Sequence, residues 1–159
     1  MEDVRDLKEL QLDALREVAN IGAGHAATAL SQMTNRTIMI DVPEVNVRQL
    51  EEVADLFGAP DDVAAAVLMN VMGDLTGRTL VLIPKPSALV LCDILFRRAP
   101  GTTQQLGPME ESGLKEAGNI LASAYLNALS DFMGMMLIPS VPSLVIDLIA
   151  AAELMTGLI

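Results

Sequence analysis

Early in the chain, apolar residues recur at intervals of three and four: Leu12, Leu15, Val18, Ala19, Gly22, Ala26, Ala29, Leu30 and Met33. That spacing predicts a long helix over about 6–34 with one buried stripe. A short β-branched run at 37–41 follows, then Pro43 and a second helix at 47–57 whose Gln49, Glu51, Glu52 and Asp55 face solvent. Residues 63–72 are almost continuously apolar and end at Gly73-Asp74, and 78–83 follow a Leu75-Thr76-Gly77 turn, so the pair reads as a β-hairpin. Pro84 and Pro86 stop it. A helix at 87–97 with Ala88, Leu91, Cys92 and Leu95 inward precedes a linker at 99–107 rich in Gly, Thr and Gln. A second long helix is expected at 109–133, then a short run at 135–139, Pro142, and an apolar helix from 143 to about 155 carrying Asp147 and Glu153.

The two long helices are copies of one unit. Shifting residues 13–43 onto 112–142 pairs Leu15 with Leu114, Glu17 with Glu116, Asn20 with Asn119, Ile21 with Ile120 and Ala23 with Ala122. Ala29, Leu30 and Ser31 meet Ala128, Leu129 and Ser130, and Val42-Pro43 meets Val141-Pro142. The expected organisation is one domain over 1–159, with a first copy at about 6–98 and a second at about 108–159. The fold class is α+β: two pseudo-symmetric repeats with long helices packed on a central, mainly antiparallel sheet. By the same shift, the hairpin and last helix of the second copy fall near 160–182, past Ile159. The expectation is a fragment, or a sheet completed by a partner strand through self-association, because an open apolar edge invites pairing.

Composition narrows the function. Ten Lys and Arg stand against 21 Asp and Glu, a formal charge of -11 that repels nucleic acid and anionic lipid. Hydrophobic residues make up 52% of the chain, so a core is affordable, yet the apolar runs are far shorter than the roughly 18–20 residues that span a bilayer. Met1 is followed by Glu2, Asp3 and Arg5 rather than by a secretory pattern, and Cys92 is alone. A cytoplasmic location without membrane insertion fits these features. With one His and one Cys, a zinc site built from those residue types is excluded, and no metal site is expected in the chain.

Against this apolar background, three polar positions recur in both copies: Asp13, Glu17 and Asn20, and Ser112, Glu116 and Asn119. At 100° per residue, steps of four and three keep each trio within about 60°, as one ridge away from the leucine stripe. Asn is a poor helix former in mid-helix, so local stability does not explain its repetition. A solvated helix face would account for one Glu-Asn pair; two at matched positions point to chemistry. A carboxamide cannot act as a base near neutral pH, but its acceptor and donor can orient a water. Phosphoryl transfer, with its loose transition state, is a reaction in which such positioning carries much of the catalysis. A carboxylate one turn earlier can grip a lysine beside the phosphate.

The spacing of Asp or Ser, three residues, Glu, two residues, Asn, then 22 residues and Pro resembles that of the CheC, CheX and FliY phosphatases of bacterial and archaeal chemotaxis. Asp13, Glu17, Asn20 and Pro43 make one instance, and Ser112, Glu116, Asn119 and Pro142 the other. The stretches at 20–30 and 114–120 resemble the same family. The resemblance implies hydrolysis of the aspartyl phosphate on the response regulator CheY. Glu17 and Glu116 would contact the regulator's lysine, and Asn20 and Asn119 would orient the attacking water. The chain itself would need no cofactor, because the regulator supplies the magnesium ion. It further implies binding of the receptor deamidase CheD, with Asp147 as a contact on a docking helix. The rival readings are a CheY- or CheD-binding adaptor or flagellar switch component that does not hydrolyse, and a self-associating structural subunit. Bland roles are expected for Gly22-Ala23-Gly24 (helix packing), His25 (helix surface or packing) and Cys92 (core).

Overall fold

The computed structural model describes residues 8–49, 52 and 61–148. Glu9–Thr34 form α1, whose buried residues Val18, Gly22, Ala23, Ala26, Leu30 and Thr34 keep the three-and-four spacing of a single stripe. The backbone N–H of Lys8 donates to Gln11 Oε1 at 2.9 Å, closing its first turn. At the other end Asn35 adopts a left-handed φ of 54° and its N–H bonds the Ser31 carbonyl.

Residues 35–49 follow without strand or helix. The expected β-branched run at 37–41 is therefore not paired, although Ile38 is held to α1 by two bonds with the Ser31 hydroxyl, at 2.8 and 3.1 Å. The expected helix at 47–57 lies almost wholly outside the described residues; Glu52 within it is helical.

The hairpin is present as β1, Val63–Gly73, and β2, Gly77–Pro84, in an antiparallel register that sets Val67 opposite Val81 and Ala65 opposite Ile83. Gly73 turns the chain at φ +114°, where a Cβ would collide with the Met136 carbonyl. Beside it Asp74 clasps the same residue twice: its N–H donates to the Met136 carbonyl at 2.8 Å and its carboxylate accepts the Met136 N–H at 2.7 Å. Lys85–Leu95 form α2, which starts with Pro86 in its first turn, where a missing N–H costs nothing.

The loop from α2 to the next helix is organised by one buried carboxylate. Asp93, 5% exposed, accepts bonds from the N–H and hydroxyl of Thr103 and the N–H of Gly101. The Thr103 hydroxyl, ahead of the backbone N–H groups and Arg98, holds the Asp93 carboxyl below the usual carboxylate range. Pro108–Met133 form α3, which ends at Gly134 with φ 64° and a bond to the Ser130 carbonyl, the arrangement seen at the end of α1. Ser130 also bonds the Met135 carbonyl, as Ser31 bonds that of Ile38.

After α3 come β3, Leu137–Pro139, and β4, Ser143–Leu148, both antiparallel to β1 along the edge opposite β2. They are one strand interrupted by a bulge. Val71 faces Pro139 while Leu68 faces Ser143, so one strand carries an extra residue where Pro142 falls. The helix expected from 143 to about 155 is thus corrected: 143–148 are a strand, and the remainder lies outside the described residues. Polar Ser143 and Asp147 alternate with Leu144 and Ile146, Val145-Ile146 is β-branched, and the open edge of β1 rewards the extended conformation.

The layers follow from the rows of side chains. Ala65 and Ile83 join Ala88, Cys92 of α2 and Leu114 of α3 in the main core, with Val81, Leu144 and Ile146 packed against it. Both α2 and α3 lie on the sheet, and α1 packs on α3. Two glycines set the separations. A Cβ on Gly118 would come within 2.6 Å of Val67 on β1, and one on Gly22 within 2.7 Å of the Tyr125 ring on α3.

Candidate functional site

The buried stripe of α1 fixes where the first ridge points. With Val18 and Gly22 turned inward, Asp13, Glu17 and Asn20 are all exposed. Asp13 is drawn into an ion pair with Arg16 at 2.6 Å, and Arg16 also reaches Glu9 at 3.1 Å. These two carboxylates raise the Arg16 pKa, Glu9 first. Glu17 and Asn20 make no side-chain hydrogen bond or ion pair among the described residues, so both are available to a visiting protein.

On α3 the same rule applies with a tighter footing. Leu114, Ala117 and Gly118 are buried against the sheet and α2, which leaves Ser112 and Glu116 exposed and Asn119 half-buried. Asn119 follows the glycine that seats α3 on Val67, so the helix cannot back away from the sheet without losing that contact. Its Oδ1 accepts the Ser123 hydroxyl at 3.2 Å, which fixes the carboxamide and leaves its NH₂ group and a second lone pair of the oxygen unused. The residue that occupies the place of Ser123 in the first copy is Gly24, which has no side chain to offer. The Ser123 bond was not anticipated from sequence; a hydroxyl four residues after Asn119 on the same helix face was the available signal.

Each Glu and Asn named from sequence is therefore found beside its partner on one helix, with no packed side chains sealing off both amides. The remaining motif positions serve the backbone. Pro43 lies in the unpaired 35–49 segment, and Pro142 stands at the bulge between β3 and β4. Asp147 is exposed on β4 opposite Ala64, in the set of positions that alternates with core-facing Leu144 and Ile146. It is not on a helix. His25 is exposed, Cys92 is buried, and Gly22 lies in the contact between α1 and α3. Among the described residues no group of three or more His, Cys, Asp or Glu is placed to hold a metal, and no helix is long and apolar enough to cross a membrane.

Comparison with known proteins matches a family model described as the CheC-like family to residues 10–47 and again to 109–146. The two matches are separated by the same shift that superimposes the ridges. The chain is 40% identical over 147 residues to the CheY-P phosphatase CheC of Bacillus subtilis, an alignment covering 91% of this chain and 70% of that protein. It is 29% identical over 129 residues to the flagellar motor switch phosphatase FliY of the same organism, covering 80% of this chain and 33% of that protein. The crystal structure of Thermotoga maritima FliY superimposes with a TM-score of 0.78 at 25% identity, over 93% of this chain and 74% of that one.

Proposed function

The chain belongs to the CheC-like family, and from that premise we propose that it is a phosphatase that removes the aspartyl phosphate of the chemotaxis response regulator CheY. The observation that carries this reading is the doubled Glu-x-x-Asn ridge, each copy on the accessible face of its own helix, in a chain 40% identical to a CheY-P phosphatase.

In the proposed reaction Glu17 or Glu116 pairs with the regulator's active-site lysine and sets the approach of the helix. The Asn one turn on then enters the phosphorylation site. Its carboxamide binds one water by its acceptor and donor, holding the oxygen in line with the phosphorus–oxygen bond to the aspartate. Water forms the new bond to phosphorus, the aspartyl carboxylate leaves, and inorganic phosphate is released. The divalent ion that neutralises the phosphoryl oxygens belongs to the regulator, so this chain contributes no cofactor of its own. Cytoplasmic location follows from the location of that substrate.

The second part of the proposal is binding of the receptor deamidase CheD. Exposed Asp147 supports it as an acidic contact presented from β4 rather than from a helix. The rival reading is an adaptor that binds CheY without hydrolysing it. The two separate in a decay assay of phosphorylated CheY. The phosphatase reading expects catalytic amounts of the chain to speed phosphate release; stoichiometric binding with an unchanged decay rate would establish the adaptor instead. For CheD, Asp147→Lys is expected to weaken capture of purified CheD without altering that rate, and unchanged capture would remove Asp147 from the interface.

A further inference from the structure

Past the C-terminal ends of α1 and α2, Thr34, Asn35, Arg36, Arg97 and Arg98 line an open cleft of about 280 Å³. The place is unexpected for three guanidinium groups in a chain with 10 Lys and Arg against 21 acids. Arg98 is engaged: it donates to Glu110 and to the Thr103 hydroxyl, both at 3.0 Å, and its guanidinium lies 4.9 Å from the Phe96 ring centroid. Arg36 and Arg97 are exposed, and neither side chain has a hydrogen-bond or ion-pair partner among the described residues. Arg97 also holds a left-handed φ of 55°, a conformation that a bulky L residue rarely adopts.

Cations beside helix C-termini complement the helix dipole, and that accounts for one arginine at each end. It does not account for the cluster. The end of α3 is built on the same cap without any, since Gly134 and Met135 stand where Asn35 and Arg36 do. Arg98 is offset by Glu110 and by the buried Asp93 carboxylate, to which it is tied through Thr103, so the positive charge left at the cleft is carried by Arg36 and Arg97. These two guanidinium groups have no carboxylate of their own among the described residues, and their planar donor forks suit the oxygens of a tetrahedral phosphate dianion.

We propose that this cleft binds a dianionic phosphate group. It is set apart from both amides: Asn35, the cap of α1, is fifteen residues past Asn20, about 22 Å at the rise of an α-helix, and Glu110, which anchors Arg98, is nine residues before Asn119 on α3, about 13 Å by the same measure. The phosphate can be the free ion or the head of a phosphomonoester, and both present the same oxygens.

The test is a titration of the whole chain at constant ionic strength, followed by NMR, with inorganic phosphate, glycerol phosphate and acetate in parallel. Saturable shifts centred on residues 34–36 and 97–98 are expected with phosphate. Affinity should fall tenfold or more in Arg36→Ala/Arg97→Ala and be unchanged in Asn20→Ala/Asn119→Ala. The Arg36→Lys/Arg97→Lys pair, which keeps charge but loses the forks, is expected to fall between wild type and the alanine pair. Equal binding of glycerol phosphate assigns the cleft to phosphomonoesters as well; binding of inorganic phosphate alone assigns it to the free ion. Absence of saturable phosphate binding, equal affinity for acetate, or unaltered binding in a folded alanine pair would overturn the proposal.

Discussion

The segments after α1 and after α3 are alike in sequence and unlike in structure. Each follows a helix ended by a left-handed cap, each is tied back by a serine hydroxyl, and each carries a Val-Pro pair. The segment after α3 becomes β3 and β4 because β1 offers it an edge, whereas 35–49 pair with no described strand. A similar pattern thus gives a strand in one place and an unpaired, irregular segment in the other. β-Propensity is realised through a partner, not within the segment itself.

Hydrogen exchange makes that difference measurable, and it is the largest effect expected. Amides of β4 paired to β1 should exchange on the order of 100-fold or more slowly than those of 44–49. Equal protection would mean that 44–49 also have a partner strand. The next contrast is in the helices. Leu114 is fully buried in the main core, while its counterpart Leu15 is only half-buried on α1. Leu114→Ala is expected to cost about 2–5 kcal/mol in urea denaturation and Leu15→Ala about 1 kcal/mol; equal losses would deny that the second helix carries the core. The smallest effect concerns the amides. Ser123→Ala in an Asn20→Ala background should slow CheY-P decay roughly 2- to 10-fold, the worth of one hydrogen bond. The same change in an Asn119→Ala background should do nothing, and an equal effect in both backgrounds would show that Ser123 acts through general stability.

Much of this was legible in the sequence for physical reasons. The three-and-four spacing of α1 and α3 and the apolar run ending at Gly73-Asp74 are strong local signals, and both long helices and the hairpin are found where they were expected. β4 was misread because a short apolar run fits a helix or a strand. The alternation of Ser143 and Asp147 with Leu144 and Ile146 acquires meaning only once β1 is beside it. The ridges could be found because the chain repeats them. The tether between Ser123 and Asn119, and the meeting of Arg36 with Arg97 and Arg98, could not. The first depends on rotamers, and the second joins the ends of two helices separated by sixty residues of sequence.

The central claim is that a neutral carboxamide, offered once by α1 and once by α3, positions the water that cleaves the regulator's acyl phosphate. Its most direct test is the decay rate of phosphorylated CheY with wild type, Asn20→Ala, Asn119→Ala and the double variant, each with helix content verified. Acceleration should persist in either single variant and vanish in the double variant. Undiminished acceleration by a folded Asn20→Ala/Asn119→Ala protein would contradict the account.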